Sequence, residues 1–216
     1  MSKLTYASLA GAGALGTSGL GMYYLYSGES KLETQTKEEV TVEVKNLGSK
    51  LTSEKFTILS DSPENNHHWA TIKEEYDKIK SEPSKSLNPT TEEVTVSTLQ
   101  ALCKDRLEQD REDLYVKVKR WCVVPTKVSE HLVNLKLTPL STTDGDESHK
   151  GDWEALSTAY ISAESDERIP ELIIPNSSEW KQLQKKCKDI SEKKSYEDDF
   201  DFYLNASISW CTKKSQ

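Results

Sequence analysis

The sequence is poor in the residues from which catalytic and metal-binding motifs are built. It has four cysteines, four histidines and nine glycines in 216 residues, with only three phenylalanines and two methionines. No two cysteines have the C-x2-C or C-x4-C spacing that is typical of zinc sites. A G-x-S-x-G nucleophile elbow is also missing. The sequence therefore predicts no catalytic residue, no metal site, no cofactor and no small-molecule ligand, and the expected class is a protein that is not an enzyme.

Basic charge is scarce as well. The chain has 28 Lys and Arg against 36 Asp and Glu, a formal net charge of −8 and a pI near 5.2. Affinity for a phosphate backbone comes mostly from counterions displaced by a basic face. An acidic chain without a long basic run lacks such a face, so nucleic acid is excluded as a general partner.

Charged side chains are absent from one long segment near the amino terminus. Residues 4–26 lie between Lys3 and Glu29 and contain no Asp, Glu, Lys or Arg. A helix of 23 residues is about 35 Å long, enough to cross a hydrocarbon layer of about 30 Å. Small residues recur at four-residue spacing, as in close-packed membrane helices: Ala10, Ala14 and Ser18, and Gly13, Thr17 and Gly21. This pattern predicts a single-pass membrane segment through which the protein contacts the membrane.

Two other interpretations of this segment stay open. It also fits a cleaved signal peptide with Ala12-Gly13-Ala14 as the small-residue site, or a soluble Gly/Ala-rich tail. If the segment is retained, the positive-inside rule places Lys3 in the cytoplasm and the carboxy-terminal body outside the cell membrane. Residues 27–49, rich in Glu, Lys and Thr, predict an acidic linker.

The rest of the chain matches itself at a nearly constant offset. An offset of 84 residues pairs Trp69 with Trp153, Tyr76 with Tyr160, and Cys103 with Cys187; an offset of 89 pairs Trp121 with Trp210 and Cys122 with Cys211. Lys50-Leu51-Thr52 also resembles Lys136-Leu137-Thr138. Because the match includes four of five tryptophans and all four cysteines, it predicts two tandem modules, residues 50–130 and 135–214. The six paired Trp and Tyr residues are the expected repeat core.

Helical spacing dominates both modules. Trp69, Ile72 and Tyr76 fall on one helix face, and the second module repeats the pattern. Pro89 and Pro175 precede polar residues typical of helix starts. Residues 114–124 alternate apolar and polar side chains, which also fits a minor β element, although the helical period is preferred. The predicted fold class is mainly α, with two tandem similar helical modules after an N-terminal membrane helix.

The four cysteines most simply form two disulfides within the modules of an outward-facing body, Cys103 with Cys122 and Cys187 with Cys211. Buried free thiols and pairing across the modules are the alternatives. The histidines are His67, His68, His131 and His149. Their positions do not follow the duplication, which disfavours a metal site shared by both modules.

Three stretches carry a resemblance to a known family. They are MSKLTYASLAGAGALGTSGLGMYYLYS at the amino terminus, RWCVVP at residues 120–125 and SWCT at residues 209–212. In these stretches the chain resembles the large paralogous sets of uncharacterised, membrane-anchored proteins of haemotropic mycoplasmas, wall-less bacteria that live on red blood cells. The resemblance implies a surface-exposed protein that serves antigenic variation or host contact, with a host surface protein as its partner. It implies no catalytic residues.

Three function classes follow from these features. The first is an extracellularly exposed interaction or display protein, favoured by the combination of anchor, duplication and missing catalytic motifs. The second is a structural membrane protein that self-associates through the small-residue face of residues 10–21. The third is an enzyme or inhibitor whose site has no recognisable sequence signature.

Overall fold

The computed structural model describes residues 46–214, all of which belong to one compact unit, residues 43–216. The predicted membrane segment, residues 4–26, lies outside the described residues. Residues 27–45 of the predicted linker also lie outside them. Within residues 46–214, no helix combines the length and the apolar composition that crossing a membrane requires.

The described part of the chain is mainly helical, as predicted. Its α-helices are α1 (Leu47–Ser53), α2 (Asn66–Asp77), α3 (Val96–Leu107), α4 (Tyr115–Trp121), α5 (Val128–Asn134), α6 (Lys150–Ser162), α7 (Trp180–Ser191) and α8 (Phe200–Trp210). Four short 3-10 turns lie between these helices: Pro63–Asn65, Glu112–Leu114, Ser165–Glu167 and Ser177–Glu179. We refer to residues 46–124 as the first half and to residues 125–214 as the second half.

The helices that the apolar spacing predicts are present. Trp69, Ile72 and Tyr76 are the buried residues of α2, and Trp153, Leu156 and Tyr160 are buried on α6. One predicted helix start is wrong: α3 begins at Val96 rather than after Pro89, because the Thr95 hydroxyl accepts a hydrogen bond from the Thr98 amide and caps the helix there.

The β interpretation of residues 114–124 is wrong for most of that segment. Residues 115–121 form α4, and Leu114 closes the preceding 3-10 turn. The helical period prevails because it buries Val118 and Trp121 on the same side. Only Val123 pairs like a strand, in a single antiparallel bridge with Ile58, and residues 46–214 contain no continuous strand.

α1 and α5 end in the same way. Lys55 and Lys136 both have left-handed backbones, with φ of 68° and 64°. After α1, the Phe56 amide donates to the Leu51 carbonyl at 3.0 Å, and Lys55 to Thr52 at 3.0 Å. After α5, the corresponding bonds run from Leu137 to Leu132 at 3.0 Å and from Lys136 to Val133 at 2.9 Å. Both ends are Schellman motifs.

This geometry changes one element of the sequence alignment. It places Lys136-Leu137-Thr138 at the position of Lys55-Phe56-Thr57, not of Lys50-Leu51-Thr52 as the letters suggest. The structure also moves the element boundaries. α1 begins inside the predicted linker, and α5 covers residues 128–134, across the predicted end of the first module at residue 130 and the gap before residue 135.

Corresponding helix pairs pack together in each half. α1 contacts α3 and α4, α3 contacts α2 and α4, and the same four pairings recur as α5 with α7 and α8, and α7 with α6 and α8. Two buried apolar clusters result. One lies wholly in the second half, around Trp153, Tyr160 and Trp210. The other fills the first half and extends into the second through Val128, Leu132, Phe200 and Leu204.

Candidate functional site

The four cysteines form two disulfides. Cys103 on α3 is bonded to Cys122, directly after α4, with 5.4 Å between their Cα atoms. Cys187 on α7 is bonded to Cys211, directly after α8, with a Cα separation of 5.7 Å. Both predicted pairings are confirmed, and the alternatives of free thiols and of pairing across the halves are wrong.

A tryptophan next to each disulfide packs in the same way. The ring of Trp121 meets Tyr76 edge to face with 5.2 Å between centroids, and its Nε1 donates to the Lys85 carbonyl at 2.8 Å. In the second half, Trp210 meets Tyr160 at 5.0 Å, and its Nε1 donates to the Glu167 carbonyl at 2.8 Å. Each indole therefore buries its ring without leaving its polar N–H unpaired.

The remaining pair of predicted core residues has matching partners as well. Trp69 Nε1 donates to the Ser60 carbonyl at 2.9 Å, and Trp153 Nε1 donates to the Ser141 carbonyl at 3.3 Å. All six predicted core residues are buried: Trp69, Tyr76, Trp121, Trp153, Tyr160 and Trp210. The polar atoms of these side chains bond to backbone carbonyls within the fold, so the six residues have a structural role.

The four histidines lie in three separate places. His67 and His68 are adjacent at the start of α2, and their rings pack at 3.7 Å between centroids. Partial burial, with a smaller effect of His67, lowers the pKa of His68. His149 Nδ1 accepts from the Ser141 amide at 3.0 Å, and His131 is buried. In residues 46–214 no histidine side chain is bonded to a serine hydroxyl, and no group of three or more His, Cys, Asp or Glu is placed to hold a metal ion.

A group of polar and aromatic residues that the sequence patterns do not predict lies where the two halves meet. We call it the junction cluster: Glu54, Phe56, Tyr115 and Lys119 from the first half, and His131, Phe200 and Asp201 from the second. The His131 ring stacks on Phe56 with 4.0 Å between centroids and lies 6.2 Å from Phe200. The junction cluster could not be predicted from the duplication, because its residues are not repeated in the other half.

A nearly buried lysine forms the charged part of the junction cluster. The Lys119 ammonium lies 2.6 Å from an Asp201 carboxylate oxygen and 4.8 Å from the centre of the Tyr115 ring. Its side chain is 11 % exposed, against 45 % for Asp201. The Tyr115 hydroxyl donates to the Glu54 carboxylate. Burial is the main cause that raises the pKa of Tyr115, and this carboxylate is the second. The charge of Lys119 is therefore compensated by a single carboxylate from the other half.

The comparisons with known proteins add no relative. No protein-family model matches the chain, and no curated protein or solved structure matches it. Its function must be inferred from its own residues.

A second set of ion pairs borders the junction cluster. Asp198 of the second half lies 2.5 Å from Arg120 and 3.0 Å from Lys85, both of the first half. The hydrogen bond from Lys85, and then the one from Arg120, lowers the pKa of Asp198. Asp198 and Arg120 line an open cavity of about 350 Å³, which Ile79 and Trp121 also line. The lysine and arginine charges in this cavity are already paired, so it offers no free anion site.

Proposed function

We propose that the protein is a membrane-anchored, extracellularly exposed display or host-interaction protein whose body consists of two copies of one helical unit. Residues 4–26 serve as the anchor, residues 27 to about 46 as a linker, and the two disulfide-bonded halves as the presented surface. The observation that carries this proposal is that every cysteine of the chain is in a buried disulfide within its own half.

The disulfides support an oxidising location. Structural disulfides form and persist outside the cell or in comparable compartments, and cytosolic thiols are kept reduced. Both bonds connect the third helix of a half to the residue that follows its fourth helix. A chain that stayed in a reducing cytosol would have no such bonds to stabilise it.

Matching details support the duplication. Besides the helix pairings and the Schellman ends, the Leu59 amide donates to the Cys122 carbonyl at 3.0 Å, and Leu140 donates to Cys211 at 2.9 Å. The Leu47 amide donates to Gln109 at 2.9 Å, and Val128 to Lys193 at 2.9 Å. Two unrelated units would not be expected to share a lysine with positive φ two residues after the end of their first helix, as Lys55 and Lys136 do.

The segments between the second and third helix of each half differ between the two halves. Residues 78–95 and 163–179 have little sequence in common apart from the polar turns that begin at Pro89 and Pro175. The second of them carries Ile173, which is 80 % exposed. A constant disulfide-bonded frame with divergent exposed segments suits a protein that presents variable surface to a host.

Two measurements on intact cells test this proposal. The first is protease shaving, with a cytosolic protein as control. We expect residues of the body to be released while the cytosolic control stays intact. Equal protection of both proteins would contradict surface exposure.

The second measurement is mass spectrometry of protein alkylated during lysis and digested without reduction. We expect one peptide pair that joins Cys103 to Cys122 and another that joins Cys187 to Cys211. The same digest after reduction is the control and should show four separate cysteine peptides. Alkylated cysteines in the unreduced sample would contradict an oxidising location.

A further inference from the structure

His131 occupies an unusual place for a titratable group. It projects from α5 of the second half and stacks on Phe56 of the first half, with Phe200 against its edge. Only 1 % of the residue is exposed. Its Nδ1 has no hydrogen-bond partner within the described structure. A neutral imidazole tolerates such apolar surroundings far better than an imidazolium does.

The charges around His131 come from each element that packs on it. α4 contributes Lys119, which disfavours a charged ring, whereas Asp201 on α8 and the backbone carbonyl of Glu54, the residue after α1, favour it. The Glu54 carboxylate is bonded to Tyr115. On α5 and α7, Lys127, Glu130 and Glu192 are engaged in exposed contacts with one another.

These surroundings disfavour a proton on His131. Burial, with the nearby Lys119 ammonium as the second cause, lowers the pKa of His131 to about 4, although Asp201 acts in the opposite direction. In an opened junction, the imidazole would regain an ordinary pKa of about 6.5. Because the closed state binds the proton less readily, the closed junction is favoured fully above that pH and loses this contribution as the pH falls towards 4.

We propose that His131 makes the junction between the two halves an acid-sensitive latch. At neutral pH, its uncharged ring joins Phe56 to Phe200 and holds the halves together. In mild acid, a proton on this ring favours the open junction, so the open fraction rises while each half keeps its own disulfide and its own Trp–Tyr contact. The protein would thus present its opened junction more often in an acidified compartment.

Amide hydrogen exchange of the full chain at pH 7 and pH 5, corrected for intrinsic exchange rates, tests the latch. From a closed-state pKa of about 4, we expect protection to fall about twentyfold between pH 7 and pH 5. The loss should affect peptides around Phe56, His131 and Phe200. Peptides from the middle of α3 and α7 should keep their protection.

His131→Phe keeps an aromatic ring at the junction and removes the proton site. We expect it to abolish the extra loss of protection at pH 5, whereas His67→Phe, at an exposed histidine, should behave like the unmodified protein. The same loss of protection in His131→Phe would overturn the proposal, and so would unchanged protection in the unmodified protein. If His131→Phe does not fold, NMR titration of the unmodified protein decides: an imidazole that titrates near pH 4 supports the latch, and one that titrates near 6.5 overturns it.

Discussion

At the scale of single residues, the buried tryptophans have a double role. Each indole fills core volume and satisfies a backbone carbonyl of a neighbouring segment. Trp121 does this for Lys85 and Trp210 for Glu167, both at 2.8 Å. Both bonds are partly buried, and a buried indole N–H without an acceptor would be costly, so this hydrogen bond matters in addition to the apolar area of each ring.

Removal of that N–H should destabilise each half. We expect Trp121→Phe and Trp210→Phe each to lower the free energy of unfolding by about 1 to 3 kcal/mol, since an acceptor loses its partner while most of the ring remains. Urea unfolding followed by circular dichroism measures this change. Val116→Ala, at a side chain that is 56 % exposed on α4, is the control and should change stability by less than about 0.5 kcal/mol. Equal effects of all three substitutions would contradict the role of the N–H.

At the scale of elements, the ends of α1 and α5 show how the backbone is held in a strained conformation. A lysine in the left-handed region is strained because its Cβ approaches the following carbonyl. Both Lys55 and Lys136 are exposed at this position. The Schellman hydrogen bonds around each lysine keep the turn in place despite the strain, and they set the direction in which the chain leaves the helix.

Glycine should fit both of these turns better. We expect Lys55→Gly and Lys136→Gly each to stabilise the protein by about 0.5 to 1 kcal/mol, because glycine adopts positive φ without strain. Lys104→Gly, inside α3, is the matched control and should destabilise by about 1 kcal/mol. The thermal unfolding midpoint should rise for the first two variants and fall for the third; a fall for all three would contradict the backbone geometry.

The disulfides act between elements. Cys103 and Cys122 are 19 residues apart, and Cys187 and Cys211 are 24 residues apart. Loops of this size contribute roughly 3 kcal/mol in the chain-entropy estimate. We therefore expect Cys103→Ala with Cys122→Ala to lower the unfolding midpoint in urea about as much as Cys187→Ala with Cys211→Ala. A reductant should lower the unfolding midpoint of each pair variant further, because one disulfide remains. It should leave the midpoint unchanged in a variant that lacks both disulfides. A pair variant as stable as the parent would contradict this.

At the scale of the whole molecule, the apolar cluster of the first half continues into the second. Phe200 is 2 % exposed, lies 6.3 Å from Phe56 between ring centroids, and belongs to that continued cluster. Phe202, on the same helix, is 45 % exposed. Shared burial of this kind couples the unfolding of neighbouring units.

The two halves should therefore unfold together. We expect calorimetry of the protein to show one transition for the body, and Phe200→Ala to destabilise by about 3 to 5 kcal/mol and to split the transition in two. Phe202→Ala, the matched control, should keep a single transition at nearly the original temperature. Two separate transitions in the unmodified protein would show that the junction does not couple the halves.

The sequence alone determined the helical class and the aromatic residues beside the cysteines, and it favoured the two disulfide pairs over free thiols, which the structure then showed. These features could be predicted because helix faces are local patterns and because rare residues, Trp and Cys, recur in order in both halves. The ends of α1 and α5 could not be predicted in this way. The sequence match aligns Lys136 with Lys50, whereas the backbone geometry aligns it with Lys55.

Only the tertiary structure decided how the halves meet. Lys119 and Asp201 are 82 positions apart and occur in one half each, and His131 was one of four histidines without a pattern. Such contacts depend on the relative placement of finished units, which neither periodicity nor repetition encodes. Burial then lowers the pKa of His131, which would keep its ordinary value in a solvated loop.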